Sequence, residues 1–212
     1  MATEESFLNN VANHQMTIIC DDGVNRHIRF AIPGHSEMQF DLITWPGYLC
    51  YTGDMGTYVF KRLADMFYFF ASKNKSLYIN PGYWAEKIEA HDKNGGVKEF
   101  DEDIFNKVVM DYLKTFIRDH YHTTNKETRR ELWDRVVDEI INADSDSGGF
   151  RKQAAAYDFQ HKVDNRLRFS FIDLWEHDLT SYTYHYLWCC YALVWGIGQY
   201  NQSKVNSELE CA

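Results

Sequence analysis

The sequence predicts an α+β fold: a small N-terminal antiparallel β-sheet of three or four strands packed by helices, followed by a mainly α-helical C-terminal half. Three observations predict it. Between Arg26 and Phe60, short segments of alternating polarity are separated by turns carrying Gly or Pro, the pattern of half-buried strands joined by tight connections. From Asp101 onward, apolar residues recur at helical spacing. From Ser181 to Tyr200 the chain carries no Asp, Glu, Lys or Arg, which suits a helix at the centre of a core. Residues 1–80 read as a helix, a β meander and a packing helix. Residues 81–212 read as a helical region sharing one core with them.

Each element follows from its own residues. In "EESFLNNVANHQMTIICDDG", Phe7, Leu8, Val11, Gln15, Ile18 and Ile19 fall at near-helical spacing, so an amphipathic helix is expected as far as Asp21-Asp22-Gly23. "RHIRFAI" then alternates, with Ile28, Phe30 and Ile32 on one face and His27 and Arg29 on the other, until Pro33-Gly34 stops it. "MQFDLIT" alternates again, Met38, Phe40 and Leu42 inward and Asp41 outward. In Trp45-Pro46-Gly47-Tyr48 the proline presets its φ and the glycine accepts a positive one, the pattern of a type II turn. Type II turns fit a two-residue hairpin poorly, so a loop longer than Pro46-Gly47 is expected. "YLCYT" and "TYVF" follow as strands on either side of the turn Gly53-Asp54-Met55-Gly56.

After Phe60 the period lengthens. "KRLADMFYFFAS" places Leu63, Met66, Phe67 and Phe70 on one side, a helix that closes one face of the sheet. "NKSLYINPGYWAEKIEAHDKNGG" reads as a loop broken at Pro81-Gly82, a short helix from Tyr83, and a further break over 93–96. "DEDIFNKVVMDYLKTFIRDHY" opens with acids at the end favoured by the helix dipole and carries Ile104, Val108, Tyr112 and Phe116 in sequence. "NKETRRELWDRVVDEIINA" repeats the pattern through Leu132, Val136, Val137 and Ile140. "DSDSGGF" is the most linker-like stretch, "RKQAAAYDFQHKVDN" a further helix, and "RLRFSF" an extended segment.

The 212 residues carry a formal net charge of −9, so no global basic field draws nucleic acid in, and direct sequence-specific DNA binding is not expected. Aromatic residues make up 16%, which favours a core built from rings or an aromatic-rich binding surface. "MATEESFLNN" shows no basic stretch followed by an apolar one. The five cysteines form no framework, since Cys189 and Cys190 are adjacent and too constrained for an ordinary bridge with each other. A reducing cytoplasm is expected. The stretch from Ser181 to Tyr200 is long enough for a bilayer, but Thr183, His185, Gln199 and its tyrosines are costly or interfacial in lipid and no basic cluster flanks it. A buried helix is expected instead, without membrane association.

Candidate chemistry is sparse. Gly53-Asp54-Met55-Gly56 lacks the Gly-Lys-Ser/Thr of a phosphate loop and precedes a strand, so it reads as a turn, with Asp54 a loop acid open to function. His120-Tyr121-His122 offers two imidazoles, yet positions i and i+2 of a helix point in opposed directions; a polar helix terminus is expected, and no metal or cofactor. Arg26, His27 and Arg29 form a small basic edge beside an aromatic sheet, a faint likeness to a stacking platform for single strands. Asp173, Glu176, His177 and Asp178 crowd one short segment that suits acid–base chemistry and reads more simply as a capping cluster. No Gly-x-Ser-x-Gly is present. No catalytic residue is assigned. Trp45, Tyr48, Asp54, Arg26 and Arg29 are the candidate partner-binding residues.

"RHIRF", "FDLITWPGYLCYTGDMGTYVF", "INPGYWAEKI" and "WCCYALVWGIGQY" together resemble a family of uncharacterised proteins encoded by bacteriophages and prophages of enteric bacteria. The resemblance covers nearly the whole chain and is weakest between about Lys107 and Ala154. It implies a phage accessory gene acting in a bacterial cytoplasm and carries over no catalytic residue. The expected function is a non-enzymatic inhibitor of a host defence system, anti-CRISPR-type or other, acting on a defence protein or protein–nucleic-acid complex by protein–protein binding. One alternative is a phage enzyme acting on nucleic acid or nucleotide signals through His27, Asp54, His120, His122 or His177. The other is a nucleic-acid-binding regulator.

Overall fold

The computed structural model describes residues 1–71, 76–93, 95–146 and 148–210, with 208–210 described by their backbone. Ser72 of the packing helix, Asn74 and Lys75 of the loop after it, Asn94 of the 93–96 break, Ser147 of the linker-like stretch and Cys211 lie outside the described residues. In chain order the elements are α1 (Glu4–Val11), β1 (Gln15–Asp22), β2 (Asn25–Ala31), β3 (Phe40–Trp45), β4 (Tyr48–Gly53), β5 (Gly56–Lys61), α2 (Met66–Phe70), α3 (Pro81–Ala85), β6 (Ile88–His91), β7 (Lys98–Phe100), α4 (Glu102–Asp119), α5 (Lys126–Val136), α6 (Phe150–Asp158), β8 (Gln160–Lys162), β9 (Arg168–Ser170), β10 (Thr180–Tyr182) and α7 (Tyr184–Glu210). The fold is α+β. Contacts divide it into two compact units, Met1–Lys98 with Tyr182–Ala212, and Glu99–Ser181.

The first unit is built on an antiparallel meander in the order β1-β2-β3-β4-β5-β6. It has six strands, where three or four were expected. The additional strands are the two outermost. Residues 15–22, expected to continue the first helix, form β1: the helix ends at Val11, and Gln15 to Asp22 pair with β2 around a Gly23-Val24 turn. The near-helical spacing was there, but Thr17-Ile18-Ile19 is a β-branched run, which loses less side-chain freedom in a strand than in a helix. β6 is four residues long and owes its conformation to pairing with β5, not to any local alternation.

The turns show what the dense glycines do. Trp45 pairs directly with Tyr48, so the loop is Pro46-Gly47 alone and not longer, contrary to expectation. Gly47 has φ +88°, as the second central position of a type II turn requires. The poor fit of that turn to strand twist is offset from outside the hairpin: Gly47 N–H donates to the Ala64 carbonyl at 3.0 Å, and Arg62 N–H donates to the Gly47 carbonyl at 3.2 Å. At the next turn, a Cβ on Gly53 would stand 2.2 Å from the Gln39 carbonyl oxygen, so only glycine fits. Asp54 accepts a hydrogen bond from Met38 N–H at 2.6 Å and ties the loop before β3 to this turn.

One face of the sheet carries Ile28, Phe30, Phe40, Leu42, Leu49, Tyr51, Tyr58 and Phe60, all buried in one cluster with Phe7 of α1, Phe67 and Phe70 of α2, and Tyr186, Trp188, Leu193 and Ile197 of α7. Rings run across it: Phe30 stacks on Phe40 at 4.8 Å, Phe40 on Tyr51 at 5.6 Å, and Trp188 meets Phe40 edge-on at 5.6 Å. The uncharged stretch near the C-terminus is therefore a core helix. Among the described residues, no helix is long and apolar enough to cross a membrane.

The second unit has its own cluster, in which Phe105, Val109 and Leu113 of α4, Leu132 and Val136 of α5, Ile140 of the π-helical turn Val137–Ile141, Ala156 of α6, and Phe159, Phe169 and Phe171 are buried. The expected stripe of α4 is shifted by one position: Val108, Tyr112 and Phe116 are half-buried, and their neighbours take the core. The two stripes have the same spacing of four and lie side by side, about 100° apart around the helix, so both are apolar and packing against α5 and residues 159–171 selects the one that is fully buried. β8 and β9 form a two-stranded antiparallel sheet, as do β7 and β10. Lys152 is fully buried, paired with Glu102 at 2.9 Å and donating to the Ile141 carbonyl. Cys20, Cys50, Cys189 and Cys190 are free.

Candidate functional site

The strand register defines a second sheet face, whose side chains are absent from the buried cluster of the first unit. Three rows cross it. Arg29 faces Asp41, Asp41 faces Thr52, and Thr52 faces Thr57. A second row runs through Cys20, His27, Ile43, Cys50, Val59 and Ala90, one residue from each strand. The third is Trp45, Tyr48 and Lys61. A middle row that is apolar from Ile43 to Ala90, with His27 at its β2 end turned toward Asp41, therefore lies between a charged row and an aromatic one, all carried by hydrogen-bonded backbone.

The charged row is tightly paired. Arg29 holds Asp41 with two hydrogen bonds of 2.9 Å, and His27 Nε2 lies 2.7 Å from Asp41 Oδ2. Asp41 was expected to point outward. It belongs to the outer face, but these partners cover it to 9% exposure. Burial works against its charged form, yet the Arg29 and His27 hydrogen bonds prevail and hold the carboxyl below the usual carboxylate range. In the aromatic row, Trp45 stacks on Tyr48 with centroids 5.2 Å apart and planes 14° from parallel, and Lys61 Nζ lies 5.1 Å from the Tyr48 ring. Trp45 is 39% exposed, while its stacking partner and the clamped turn fix its orientation.

Of the residues read from sequence as partner contacts, Arg29, Trp45 and Tyr48 meet on this face. Asp54 sits exposed in the turn between β4 and β5, bonded to Met38. Arg26 is turned to the opposite side. Its guanidinium makes two 2.9 Å hydrogen bonds to Asp65 and one of 3.3 Å to Tyr200, and lies 4.7 Å from the Phe67 ring centroid. It braces β2 against α2 and α7. Ile43, Val59 and Lys61 were not singled out from sequence, although the alternation of "DLITW" and "TYVFK" assigns them to the same face as Trp45.

In the second unit, His120 and His177 line one groove and His122 lines another. The two histidines of His120-Tyr121-His122 thus line different grooves; α4 ends at Asp119 with His120 as its C-cap, so they sit at a polar helix terminus and not on the helix itself. Among the described residues, no group of three or more His, Cys, Asp or Glu is placed to hold a metal ion. The larger groove, about 720 Å³, is lined by one face of α4 from Val108 to Asp119, by His120 at its C-cap, and by residues 167–170, Ile172 and His177. Tyr112 Oη lies 3.2 Å from His177 Nε2, and the His120 ring packs on Phe116 at 4.5 Å. Burial and then the nearby charges of Asp173 and Glu176 push the Tyr112 phenol up.

No family model, curated protein or solved structure matches this chain.

Proposed function

We propose that the protein is a non-enzymatic inhibitor that binds another protein through the outer face of its sheet, and that in the phage setting its target is a component of a host defence system, such as a CRISPR effector. The observation that carries the reading is the Trp45–Tyr48 stack on a turn braced from outside the hairpin. Exposed aromatics held rigid lose little side-chain entropy on association and are the residue types enriched at binding hot spots. The row through Ile43, Cys50 and Val59 supplies apolar area beside them, and the charge of −9 favours encounter with a basic surface such as a nucleic-acid channel.

Affinity capture from infected cells tests it, with wild type beside a Trp45→Ala/Tyr48→Ala variant. The expected result is recovery of a defence component by wild type, rescue of phage under immunity, and loss of both in a variant that still melts normally. Failure of wild type to recover a defence component, together with failure to rescue phage, overturns the reading.

The enzyme alternative is favoured by one observation: the larger groove of the second unit gathers Asp111, Tyr112, Asp119, His120 and His177, groups suited to proton transfer. His120→Ala and His177→Ala separate the readings. Full potency in both variants removes the enzyme.

A further inference from the structure

The larger groove of the second unit has two walls of different chemistry. One is a stripe of α4 in which Asp111, Tyr112, Thr115, Phe116 and Asp119 recur at the i, i+1, i+4, i+5, i+8 spacing of a single helix face. The other comes from β9 and its flanks. Residues 167 to 170 all line the groove, and consecutive strand residues point to opposite faces, so the strand presents its edge to the groove. Among the described residues that edge carries no strand, because the β8–β9 sheet has only two.

The backbone groups on this edge follow from the ladder. Val163 N–H donates to the Leu167 carbonyl at 2.9 Å, which marks 163 and 167 as a hydrogen-bonded pair. In an antiparallel ladder such pairs alternate. His161 with Phe169 is then the next hydrogen-bonded pair, and Gln160 with Ser170 and Lys162 with Arg168 are non-bonded pairs. The N–H and C=O groups of Arg168 and Ser170 therefore point away from β8, along the open edge.

α4 and β9 run beside each other in opposite directions. Phe116 meets Phe169 at 4.9 Å and Tyr112 meets Phe171 at 6.1 Å, so about one helical turn, roughly 6 Å, matches two strand residues, roughly 6.6 Å. A chain paired to β9 also lies along the α4 stripe.

We propose that this groove takes an extended segment of a partner protein, which adds as a strand to the open edge of β9 and carries basic residues at i and i+4 with an apolar residue at i+2. Asp111 and Asp119 are eight residues apart on α4, about 12 Å along its axis. Positions i and i+4 of a strand lie on one side, about 13 Å apart. Between the acids stand Thr115 and Phe116, opposite the apolar i+2 position. Asp173 and Glu176, whose charges act on Tyr112, add to the negative field, against which Arg168 of β9 is the cation among the lining residues. Arg118 lies 3.2 Å from Asp119, with both side chains more than half exposed, an open surface pair of the kind that an incoming cation readily shares. Backbone pairing supplies affinity and the two acids supply selectivity, the division found in strand addition.

The probe is a short fluorescent peptide of Thr and Val carrying Lys at i and i+4 and Leu at i+2, with a control in which Glu replaces both Lys. Saturable binding is expected for the Lys peptide, weakened by salt and by about tenfold or more in Asp111→Asn/Asp119→Asn, with slowed amide exchange at Arg168 and Ser170. Both acids are exposed, so the double variant is expected to fold; if it melts early, the Glu control on wild type decides the charge question alone. No saturable binding of the Lys peptide, equal binding of the Glu peptide, or binding without protection of the two amides overturns the proposal. Trp45→Ala/Tyr48→Ala is expected to bind the peptide as wild type does, which keeps this site distinct from the sheet face.

Discussion

The Trp45 indole lies stacked on the Tyr48 ring across the Pro46–Gly47 turn, the two residues directly paired at the end of β3 and β4. The stack is at once part of the hairpin and part of the exposed surface. Its share in folding is small, since an aromatic pair contributes about 1 kcal/mol beyond area burial. Trp45→Ala is expected to lower unfolding free energy by about 1 kcal/mol, read by chemical denaturation, while partner capture falls to background. A large stability loss would instead mark the indole as structural.

Gly47 and Gly53 separate two kinds of glycine requirement. Gly47→Ala places a side chain at positive φ, a backbone strain of about 1–3 kcal/mol. Gly53→Ala drives a Cβ into the Gln39 carbonyl, and backbone must move to admit it. Denaturant midpoints are expected to fall for both, further for Gly53→Ala, and only Gly53→Ala is expected to loosen residues 35–40 in amide exchange.

Asp41 gives the sheet face an acid-sensitive component. Its carboxyl is held below the usual range in the folded protein, so the unfolded chain takes up protons first as pH falls. The stabilisation is whole above the unfolded value near about 3.9 and is lost as pH drops through the lower folded value. Asp41→Asn is expected to be less stable than wild type at neutral pH, with the gap closing below about pH 4. A gap unchanged between neutral pH and about pH 3 would contradict the assignment.

Lys152 makes a sharper case because its side chain is fully buried while Glu102 is half exposed. Lys152→Ala removes the donor to the Ile141 carbonyl and leaves a cavity; a loss of about 3 kcal/mol is expected. Lys152→Met fills most of the volume and is expected to recover part of that loss. Thermal melting of the two variants checks the order.

What could be read from sequence follows the range of the interactions. β2 to β5 were legible because alternation and turn residues act over a few positions, as "RHIRF" and "YLCYTGDMGTYVF" show. β1 was misread because Ile18 and Ile19 fall at a spacing that also serves a helix, and pairing with Ile28 decided the matter. β6 is a strand through its pairing with β5, about thirty residues upstream, whereas β8 falls at the end of a stretch read as helix and is set by a short hairpin with β9. Trp45, Tyr48 and Arg29 were found as separate residues, but their common face is a product of register. Asp111 and Asp119 were missed altogether: the stripe through Ile104, Val108, Tyr112 and Phe116 was read as core, and its role as a groove wall depends on β9, about fifty residues downstream.

The helix that covers the sheet begins at Tyr184, while the strands beneath it are complete by His91. A ribosome making this chain therefore exposes the row of Phe30, Phe40 and Tyr51 long before Trp188 emerges. Domains tend to fold as they leave the exit tunnel, so Glu99–Ser181 has the opportunity to settle first, while the nascent meander waits with its rings bare. During that interval the half-made protein is a natural client for chaperones, and truncations that remove the last thirty or so residues leave it one permanently.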